Sequence, residues 1–167
     1  MPKIKRYNFA HFLNTATKQS PTWARINKGV TDLSIDYSAE VTTEQYIGDK
    51  NASSSVDSYA PTAGISMVAF QEDACFVLLD NIRKTRATGA DAEVQLLNVN
   101  IYDATTNGSL TYYTAELQDC IVEITSAGGE ANMSIEATLH FNGDPQTGYA
   151  TIVDGVPVFS TNVPTSA

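Results

Sequence analysis

Hydrophobic and polar residues alternate along several stretches of this chain, a period typical of β-strands that bury one face. The clearest stretch is 33–41, where nine consecutive residues alternate. A second short strand over 44–47 follows almost at once, so the two are expected to form a hairpin. Residues 48–61 are mostly polar and contain three consecutive serines. This composition predicts a long surface loop.

One segment has the period of a helix. Cys75, Leu78, Leu79 and Ile82 are spaced i, i+3, i+4 and i+7, which is the buried stripe of an amphipathic helix. Acidic residues precede this stripe and basic residues follow it, as the helix dipole favours. The pattern predicts a helix over 73–86, packed on an otherwise β structure that includes a buried strand over 63–70.

The rest of the chain is predicted to be β. Asn-Gly, Gly-Gly and Asn-Gly-Asp-Pro turns join further strands into a meander; these strands cover 92–102, 110–126, 132–141 and 149–153. In two strands the apolar residues switch from one face of the strand to the other, near Leu96 and Leu97 and near Gln118 to Cys120. Such a change predicts a bulge or a passage from one packing partner to another. The predicted fold is mainly β, an antiparallel β-sandwich or partial barrel with one packed α-helix.

Both ends of the chain are predicted to lie outside this core. Residues 1–21 begin with a basic run, Lys3, Lys5 and Arg6, and reach a break at Ser20-Pro21. Their pattern indicates a short edge strand or an N-terminal arm. Residues 154–167 contain two prolines and end in small polar residues, which is typical of a frayed terminus or of an arm ordered against a neighbouring subunit.

Length and composition are those of one soluble domain, 1–167, large enough for a hydrophobic core. Hydrophobic residues make up 43% of the chain, yet the longest apolar run, 74–79, is too short to cross a bilayer. No secretory signal or membrane anchor is expected. Cys75 and Cys120 stand alone in the sequence, which favours a reduced, buried pair over a disulfide.

Charge is distributed unevenly. The net charge is −9, but residues 1–31 hold six basic residues and no acid, whereas residues 87–167 hold ten acids and no lysine or arginine. The charge either serves solubility alone or lets copies of the chain pack head to tail, with opposite charges steering the contact. An acidic body argues against nucleic-acid binding, which needs cations to neutralise phosphates.

Five acids lie inside predicted strands. They belong either to ordinary solvated faces or to the wall of a channel, in which case they would repel phosphates and release no counterions, so that DNA could slide past. These lumen-lining candidates are Asp36, Glu40, Glu116, Glu123 and Glu136.

Catalytic chemistry is not expected. The two histidines, His11 in the basic segment and His140 on a polar strand face, have no cysteine or carboxylate cluster at metal-ligand spacing. No nucleophile elbow, phosphate-binding glycine loop or zinc-protease motif is present. The sequence therefore predicts a protein that is not an enzyme and that needs neither a metal nor a cofactor.

Two runs of residues resemble a known family. Thr22-Trp23-Ala24-Arg25-Ile26, followed by Gly29, and Tyr46-Ile47-Gly48-Asp49-Lys50-Asn51-Ala52 resemble the tail tube (major tail) proteins of long-tailed bacteriophages. The resemblance extends over about 23–151. In that family, hexameric rings share a continuous inner β-barrel and stack into the tube through which the genome passes, so the resemblance implies the same for this chain.

The resemblance also assigns roles to segments. Residues 48–61 would reach an adjacent ring, 1–21 and 154–167 would be inter-ring arms, and the helix 73–86 would pack outside the barrel. The inter-ring loop candidates are Asp49, Lys50, Asn51, Ser53, Ser54, Ser55, Asp57 and Tyr59.

The implied partners are further copies of the chain, a tape-measure protein, and tail-terminator and distal-tail proteins. Double-stranded DNA would pass through the lumen without specific binding. The protein would be assembled in the host bacterial cytoplasm and reside in the virion.

Two other functions are compatible with the sequence. A tube protein of a contractile tail or of a bacterial secretion or injection system would form rings by the same physics. A carbohydrate-binding β-sandwich would need exposed aromatic residues around a groove, for which Tyr59, Tyr112 and Tyr113 are candidates.

Overall fold

A computed structural model describes residues 1–165 of the chain. Within this part, the chain forms eleven strands, one α-helix and two short 3-10 turns. The strands are β1 (Phe9–Asn14), β2 (Trp23–Arg25), β3 (Val30–Asp36), β4 (Ala39–Glu44), β5 (Ser53–Tyr59), β6 (Thr62–Val68), β7 (Glu93–Asn107), β8 (Leu110–Gly128), β9 (Ser134–Phe141), β10 (Gln146–Val153) and β11 (Val156–Ser160), and the helix α1 is Ala74–Thr85.

Nine of these strands build one antiparallel sheet: seven follow the order β2-β1-β7-β8-β9-β6-β3, and β10 and β11 branch from it. The long strand β8 branches along one edge, because its residues 113–117 pair with β10 and its residues 120–128 pair with β9. The predicted meander is therefore confirmed for β7, β8 and β9. It is wrong for β10, which returns to β8 and continues into β11.

The sheet curls until its ends approach each other. Arg6, just before β1, donates from Nη2 to the Leu33 carbonyl oxygen on β3, 2.7 Å away, although β1 and β3 lie near opposite ends of the strand order. The concave side holds the larger hydrophobic cluster, into which α1 inserts Cys75, Leu79 and Ile82. A mainly β fold with a curled half-barrel sheet and one packed helix is confirmed.

The helix begins and ends as its sequence predicts. The Asp73 side chain caps the N-terminus by accepting the Phe76 backbone N–H at 2.9 Å. Arg86 ends the helix in the left-handed conformation, with φ at 49°. Asp80 contacts Lys84 at 2.6 Å one turn later, which adds a few tenths of a kcal/mol to helix stability.

A second hydrophobic cluster lies on the convex side of β1, β7 and β8, where β10 and β11 cover it. The two clusters explain the parity changes in the sequence. Leu96 points into the first cluster and Leu97 into the second, so β7 is buried on both faces there. On β8, Gln118 lies at the branch between β10 and β9. The predicted passage between packing partners is confirmed at both positions.

Each predicted arm contains a strand that joins the sheet; the short strand given as the alternative for 1–21 is present, although it does not lie at an edge. In the 1–21 segment, β1 lies between β2 and β7, and Phe12 and Leu13 are buried, one in each cluster. In the 154–167 segment, β11 pairs along β10 and Pro157 is buried; residues 166–167 lie outside the described part. The basic and proline residues at the ends obscured two short strands whose burial depends on distant partners.

The predicted polar loop 48–61 and the strand over 44–47 are also wrong. The alternating stretch 33–41 divides at Tyr37 and Ser38, and β4 then pairs with β5 to form a separate two-stranded sheet. Residues 45–52 form the tip of this hairpin. The serines of β5 are compatible with a strand because backbone hydrogen bonds, not buried side chains, hold this pair together.

Candidate assembly surfaces

The convex side of β3, β6, β9 and the second half of β8 is polar and lies opposite the larger cluster. We call it the acidic face. Its residues alternate with buried ones such as Leu33, Ile65 and Leu139, so sheet pleating fixes their outward direction. Asp36, Thr62 and His140 form one cross-strand row, Ser34, Gly64, Thr138 and Glu123 a second, and Asp32, Ser66, Glu136 and Ser126 a third.

The carboxylates of the acidic face are bonded to neutral partners or to histidine. Glu136 accepts a hydrogen bond from the Ser126 hydroxyl at 3.1 Å, and Glu123 Oε2 lies 2.6 Å from His140 Nε2. Asp36 accepts the Ser38 backbone N–H at 3.0 Å. Within residues 1–165 no lysine or arginine forms an ion pair with them. The face therefore presents carboxylates to solvent without a lysine or arginine partner among the described residues.

Three of the five predicted lumen acids, Asp36, Glu123 and Glu136, lie together on the acidic face. The other two do not. Glu40 lies on β4 in the hairpin, and Glu116 lies on the opposite side of β8. There, burial and then the nearby Glu116 charge raise the pKa of the Tyr37 phenol. The parity of β8 alone could have separated Glu116 from Glu123, because one is even-numbered and the other odd-numbered.

Asp32 belongs to the acidic face but was missed from the sequence. Asp32, Ser34 and Asp36 are alternate residues of β3, so the sequence alternation already places Asp32 on the same face of the strand. A register shift between Val30 and Asp32 hides it, because the alternation there does not continue regularly towards the N-terminus.

The acidic face ends where β8 becomes covered. Lys18 Nζ lies 2.8 Å from Asp119 and 3.0 Å from Glu93, and these hydrogen bonds raise the pKa of the lysine. Beyond this bridge, Leu117 and Ala115 on the same side of β8 pack in the second cluster under β10 and β11. One side of one strand is thus a covered core at one end and an open acidic surface at the other.

The β4–β5 hairpin is the second candidate surface. Every residue of both strands is exposed. Val41 pairs across the hairpin with Val56, and Ala39 with Tyr59, so one side is apolar; the other carries Glu40, which accepts from Ser58 at 3.3 Å. A two-stranded hairpin alone is at best marginally stable in water. Its apolar side therefore has the character of a contact surface.

The predicted inter-ring residues divide between the tip and one strand. Asp49, Lys50 and Asn51 lie in the tip, which also exposes Tyr46 and Ile47. The others lie on β5 and are exposed: Ser53, Ser54, Ser55, Asp57 and Tyr59.

The N-terminal basic residues differ in their contacts. Lys3 and Lys5 are exposed, as are residues 1–4 as a whole. Arg6 is not free, because its guanidinium binds the carbonyl oxygens of Phe9 and Leu33 and ties the segment to β3. What remains of the predicted arm is therefore about five residues long.

His11 is not part of a basic arm. It is 3% exposed, and its Nδ1 lies 2.6 Å from Asn98 Oδ1. Burial lowers its pKa to about 4, against the effect of the Asn98 hydrogen bond and with help from the Arg6 and Arg25 charges. Its Nε2 has no partner. His11 is thus a neutral core residue on the far side of the sheet from His140.

The two cysteines are the remaining candidate reactive side chains considered from the sequence. Cys75 and Cys120 are free and buried, and burial raises the pKa of both thiols to about 12. In residues 1–165 no three His, Cys, Asp or Glu side chains are grouped to hold a metal ion. Across the same residues, no helix has the length and apolar character needed to span a membrane. Tyr112 is buried edge-on against Tyr149, with ring centroids 5.4 Å apart, which removes it as a glycan-stacking candidate.

Comparison by sequence gives no match: no family model and no curated protein matches the chain. Comparison by structure does. The chain superposes on the SPP1 tail tube with a TM-score of 0.61 at 10% identity, covering 92% of this chain and 82% of that one. It superposes on a chain of the anti-feeding prophage (AFP) baseplate with a TM-score of 0.50 at 12% identity, covering 88% and 95%.

The coverage matters as much as the score. The two superpositions cover 92% and 88% of this chain, so the likeness extends over most of the fold and not over a single motif. The resemblance read from Trp23 to Gly29 and from the tip residues is confirmed at the level of the fold. This chain has the fold of a phage tail tube protein.

Proposed function

We propose that this chain is a structural tail tube subunit that assembles with copies of itself into stacked hexameric rings around a DNA-conducting lumen. The observation that carries the proposal is the acidic face, which places Asp32, Asp36, Glu123 and Glu136 side by side with no lysine or arginine paired to them in the described residues. The tail tube fold supports it, because the SPP1 protein with this fold forms a tube.

The acidic face suits a wall past which DNA must move. Carboxylates repel phosphates, and they release no counterions on contact, so they provide none of the free energy that drives non-specific DNA binding. At physiological salt their field acts over about 8 Å. A lumen lined by this face would therefore keep the genome mobile.

Ring closure also resolves a hazard of the isolated chain. The strands β3, β2 and β11 each lie at an end of the pairing order and have one edge free within residues 1–165. Free edges invite uncontrolled strand pairing between chains. A closed ring gives such edges defined partners and leaves none open.

The proposal includes the remaining partners that the resemblance implied. A tape-measure protein would occupy the lumen before DNA, and tail-terminator and distal-tail proteins would cap the two ends. The protein would act in the virion after assembly in the host bacterium. Glu40 and Glu116 would not line the lumen, since neither shares the acidic face.

A tube of a contractile tail or injection particle is the second candidate. The likeness to a chain of the AFP baseplate favours it. Both candidates need the same ring, so they differ in what surrounds the tube. Co-purification with a sheath protein would favour the second.

Two experiments test the proposal. Purified protein, concentrated and viewed by negative-stain microscopy, should form rings or tubes with a central hole; a lasting monomer at high concentration would contradict assembly. Particles carrying Glu123→Lys with Glu136→Lys should assemble yet eject DNA poorly. Asp91→Lys with Asp144→Lys makes the same charge change at exposed sites elsewhere and should eject normally. Equal ejection of DNA by both double variants would show that the acidic face does not line the lumen.

A further inference from the structure

The curled sheet leaves a cavity of about 420 Å³ at the seam where its two ends approach each other. Arg6, the first residues of β1 and Arg25 line one side of it, and residues 30–33 of β3 line the other. A volume of this size lies within the range of small-molecule sites in proteins. We call it the seam cavity.

His11, on β1, supplies the seam cavity with a hydrogen-bond acceptor that has no partner. Burial lowers its pKa to about 4, so the ring is neutral at neutral pH. Because the Asn98 oxygen, 2.6 Å from Nδ1, can only accept, the ring proton lies on Nδ1 and Nε2 keeps a lone pair. The two ring nitrogens point in diverging directions, so Nε2 is turned away from Asn98 and β7. A buried acceptor without a donor costs free energy, which a ligand O–H would recover.

Two guanidinium groups line the seam cavity without a carboxylate partner. Arg6 donates to the carbonyl oxygens of Phe9 and Leu33, and Arg25 donates to that of Tyr7. These bonds use two and one of the five N–H donors that each guanidinium has. In the part of the chain that the structure describes, neither arginine forms an ion pair. Both positive charges and the remaining N–H groups are therefore available to an anion.

These groups select the chemistry of a ligand. It must bring negative oxygens to the two arginines and an O–H group to the histidine. Hydrogen phosphate has both. Sulfate has the same tetrahedral shape but no proton at neutral pH, and neither a carboxylate nor the phosphodiester of DNA has an O–H to donate. The seam cavity therefore fits a protonated phosphate group better than it fits these other anions.

We propose that the seam cavity binds a phosphate group that retains a proton, either as the free ion or as a monoester. Its O–H donates to His11 Nε2, and its other oxygens accept from Arg6 and Arg25. The site is a property of the single chain, so it does not depend on the assembly of rings.

Asp32 borders the seam cavity as well as the acidic face. It forms no ion pair with either arginine in the described residues. A negative charge at this position opposes an anion, so Asp32 weakens the binding of phosphate. Removing the charge should therefore raise the affinity, and a gain of affinity cannot result from a damaged fold.

Calorimetric titration with inorganic phosphate and with sulfate tests the chemistry of the ligand. At pH 8 both ions mainly carry two negative charges, and phosphate alone has a proton to donate. The wild-type protein should bind phosphate, and it should bind sulfate about tenfold or more weakly, because a sulfate oxygen would meet the Nε2 lone pair without a proton between them. Absence of phosphate binding, or equal affinity for the two ions, would overturn the proposal.

A second titration, at pH 5.5, distinguishes the two sources of phosphate. Phenyl phosphate also keeps a proton there, since monoesters lose it at about pH 6. Tighter binding of phenyl phosphate than of inorganic phosphate assigns the site to monoesters, and the reverse assigns it to the free ion. Binding of neither would overturn the proposal.

Paired variants test whether binding occurs in the seam cavity. Arg25→Gln should weaken phosphate binding about tenfold, because a charge-assisted hydrogen bond is lost. Arg86→Gln, at an exposed position at the end of α1, should change nothing. Asp32→Asn should strengthen binding severalfold, whereas Asp36→Asn, on the same face of β3 but outside the cavity, should have less effect. Equal effects within each pair would place the binding elsewhere and overturn the proposal.

The ring signals of the two histidines give a direct readout. Phosphate should shift the NMR signal of His11 Nε2 in the dispersed protein, and the signals of His140, exposed beside Glu123, should stay in place. His11→Gln should remove the preference for phosphate over sulfate, because an amide N–H can donate to either ion. Phosphate binding that leaves the His11 signal unmoved would overturn the proposal.

Discussion

This chain contains two β-hairpins that differ in how much of their side-chain surface is buried. The β7–β8 hairpin turns over two residues and runs through the middle of the sheet, with Leu96 in one hydrophobic cluster and Leu97 in the other. The β4–β5 hairpin turns over eight residues, and all of its strand residues are exposed. The first is held by what it buries, whereas the second buries almost nothing of its own.

The difference separates residues that fold the protein from residues available for contact. Substitutions in β7–β8 should cost stability in the isolated chain, because the clusters lose packing. Substitutions in β4–β5 should leave the isolated chain intact, because Val41, Val56 and the tip face solvent there. They should affect assembly if another copy covers this surface, as the proposed function requires.

Leu96→Ala should destabilise the isolated chain by about 2–5 kcal/mol, because the fully buried side chain would leave a cavity between α1 and the sheet. Urea unfolding followed by circular dichroism measures the change. Leu96→Met keeps the volume and should cost less than about 1.5 kcal/mol. A loss below 1 kcal/mol for Leu96→Ala would mean that the long hairpin is not the centre of the core.

Buried His11 on β1, which contacts Asn98 on β7, should make the free energy of unfolding depend on pH. The folded pKa of about 4 lies below the unfolded value of about 6.5, so the unfolded chain binds the extra proton between these values. The free energy of unfolding should therefore fall by about 3 kcal/mol as pH drops from 6.5 to 4, and no His11 contribution should appear above pH 6.5.

A variant separates the contribution of His11 to this pH dependence from the contribution of carboxylates, which titrate in a similar pH range. His11→Gln should flatten the difference between the free energies of unfolding at pH 6.5 and pH 4 relative to the wild-type protein. Equal slopes for the two proteins would show that His11 is accessible to water in the folded state.

The turns of the two hairpins should respond oppositely to the same substitution. Gly108 has φ at 63°, which L-residues adopt at a cost, so Gly108→Ala should destabilise by about 1 kcal/mol. Gly48 in the long tip has no positive φ and nothing near its added Cβ, so Gly48→Ala should be neutral or slightly stabilising. Thermal unfolding of both variants checks this; an equal loss from both would contradict the contrast between the turns.

The long hairpin could be predicted from the sequence because its signals are local. Asn107-Gly108 indicated the turn, although the two loop residues prove to be Gly108 and Ser109. The parity changes at Leu96 and Gln118 indicated strands that serve two packing partners, and both were confirmed. The helix was equally local, since its stripe, its Asp73 cap and its Lys84 pair lie within 14 residues.

The exposed hairpin and the chain ends could not be predicted in this way. In β5 the residues alternate little between apolar and polar, because neither face meets a core, so Ser53–Tyr59 resembled a loop. β1 pairs with a strand far away in the sequence, as in the His11–Asn98 contact between residues 87 apart. β11 pairs locally with β10, as in the Val153–Val156 pair, but Pro157 and the small polar residues at the end of the chain obscured its strand signal. The acidic face depends on register among four strands, which composition alone does not determine.

Val41→Ser with Val56→Ser should change the unfolding free energy of the isolated chain by less than about 1 kcal/mol, since both side chains are exposed. The same protein should assemble poorly, because the apolar side of the hairpin is lost. Sedimentation of concentrated protein measures assembly, with Thr42→Ser as a control on the polar side. A large loss of monomer stability with normal assembly would reverse the roles assigned to the two hairpins.

Cryo-electron microscopy of the assembled protein would show which face of the sheet lines the hole. We expect a ring with six-fold symmetry whose inner wall is the acidic face, with Asp32, Asp36, Glu123 and Glu136 pointing into the hole. A ring that turns this face outward or buries it between subunits would contradict the proposed lumen.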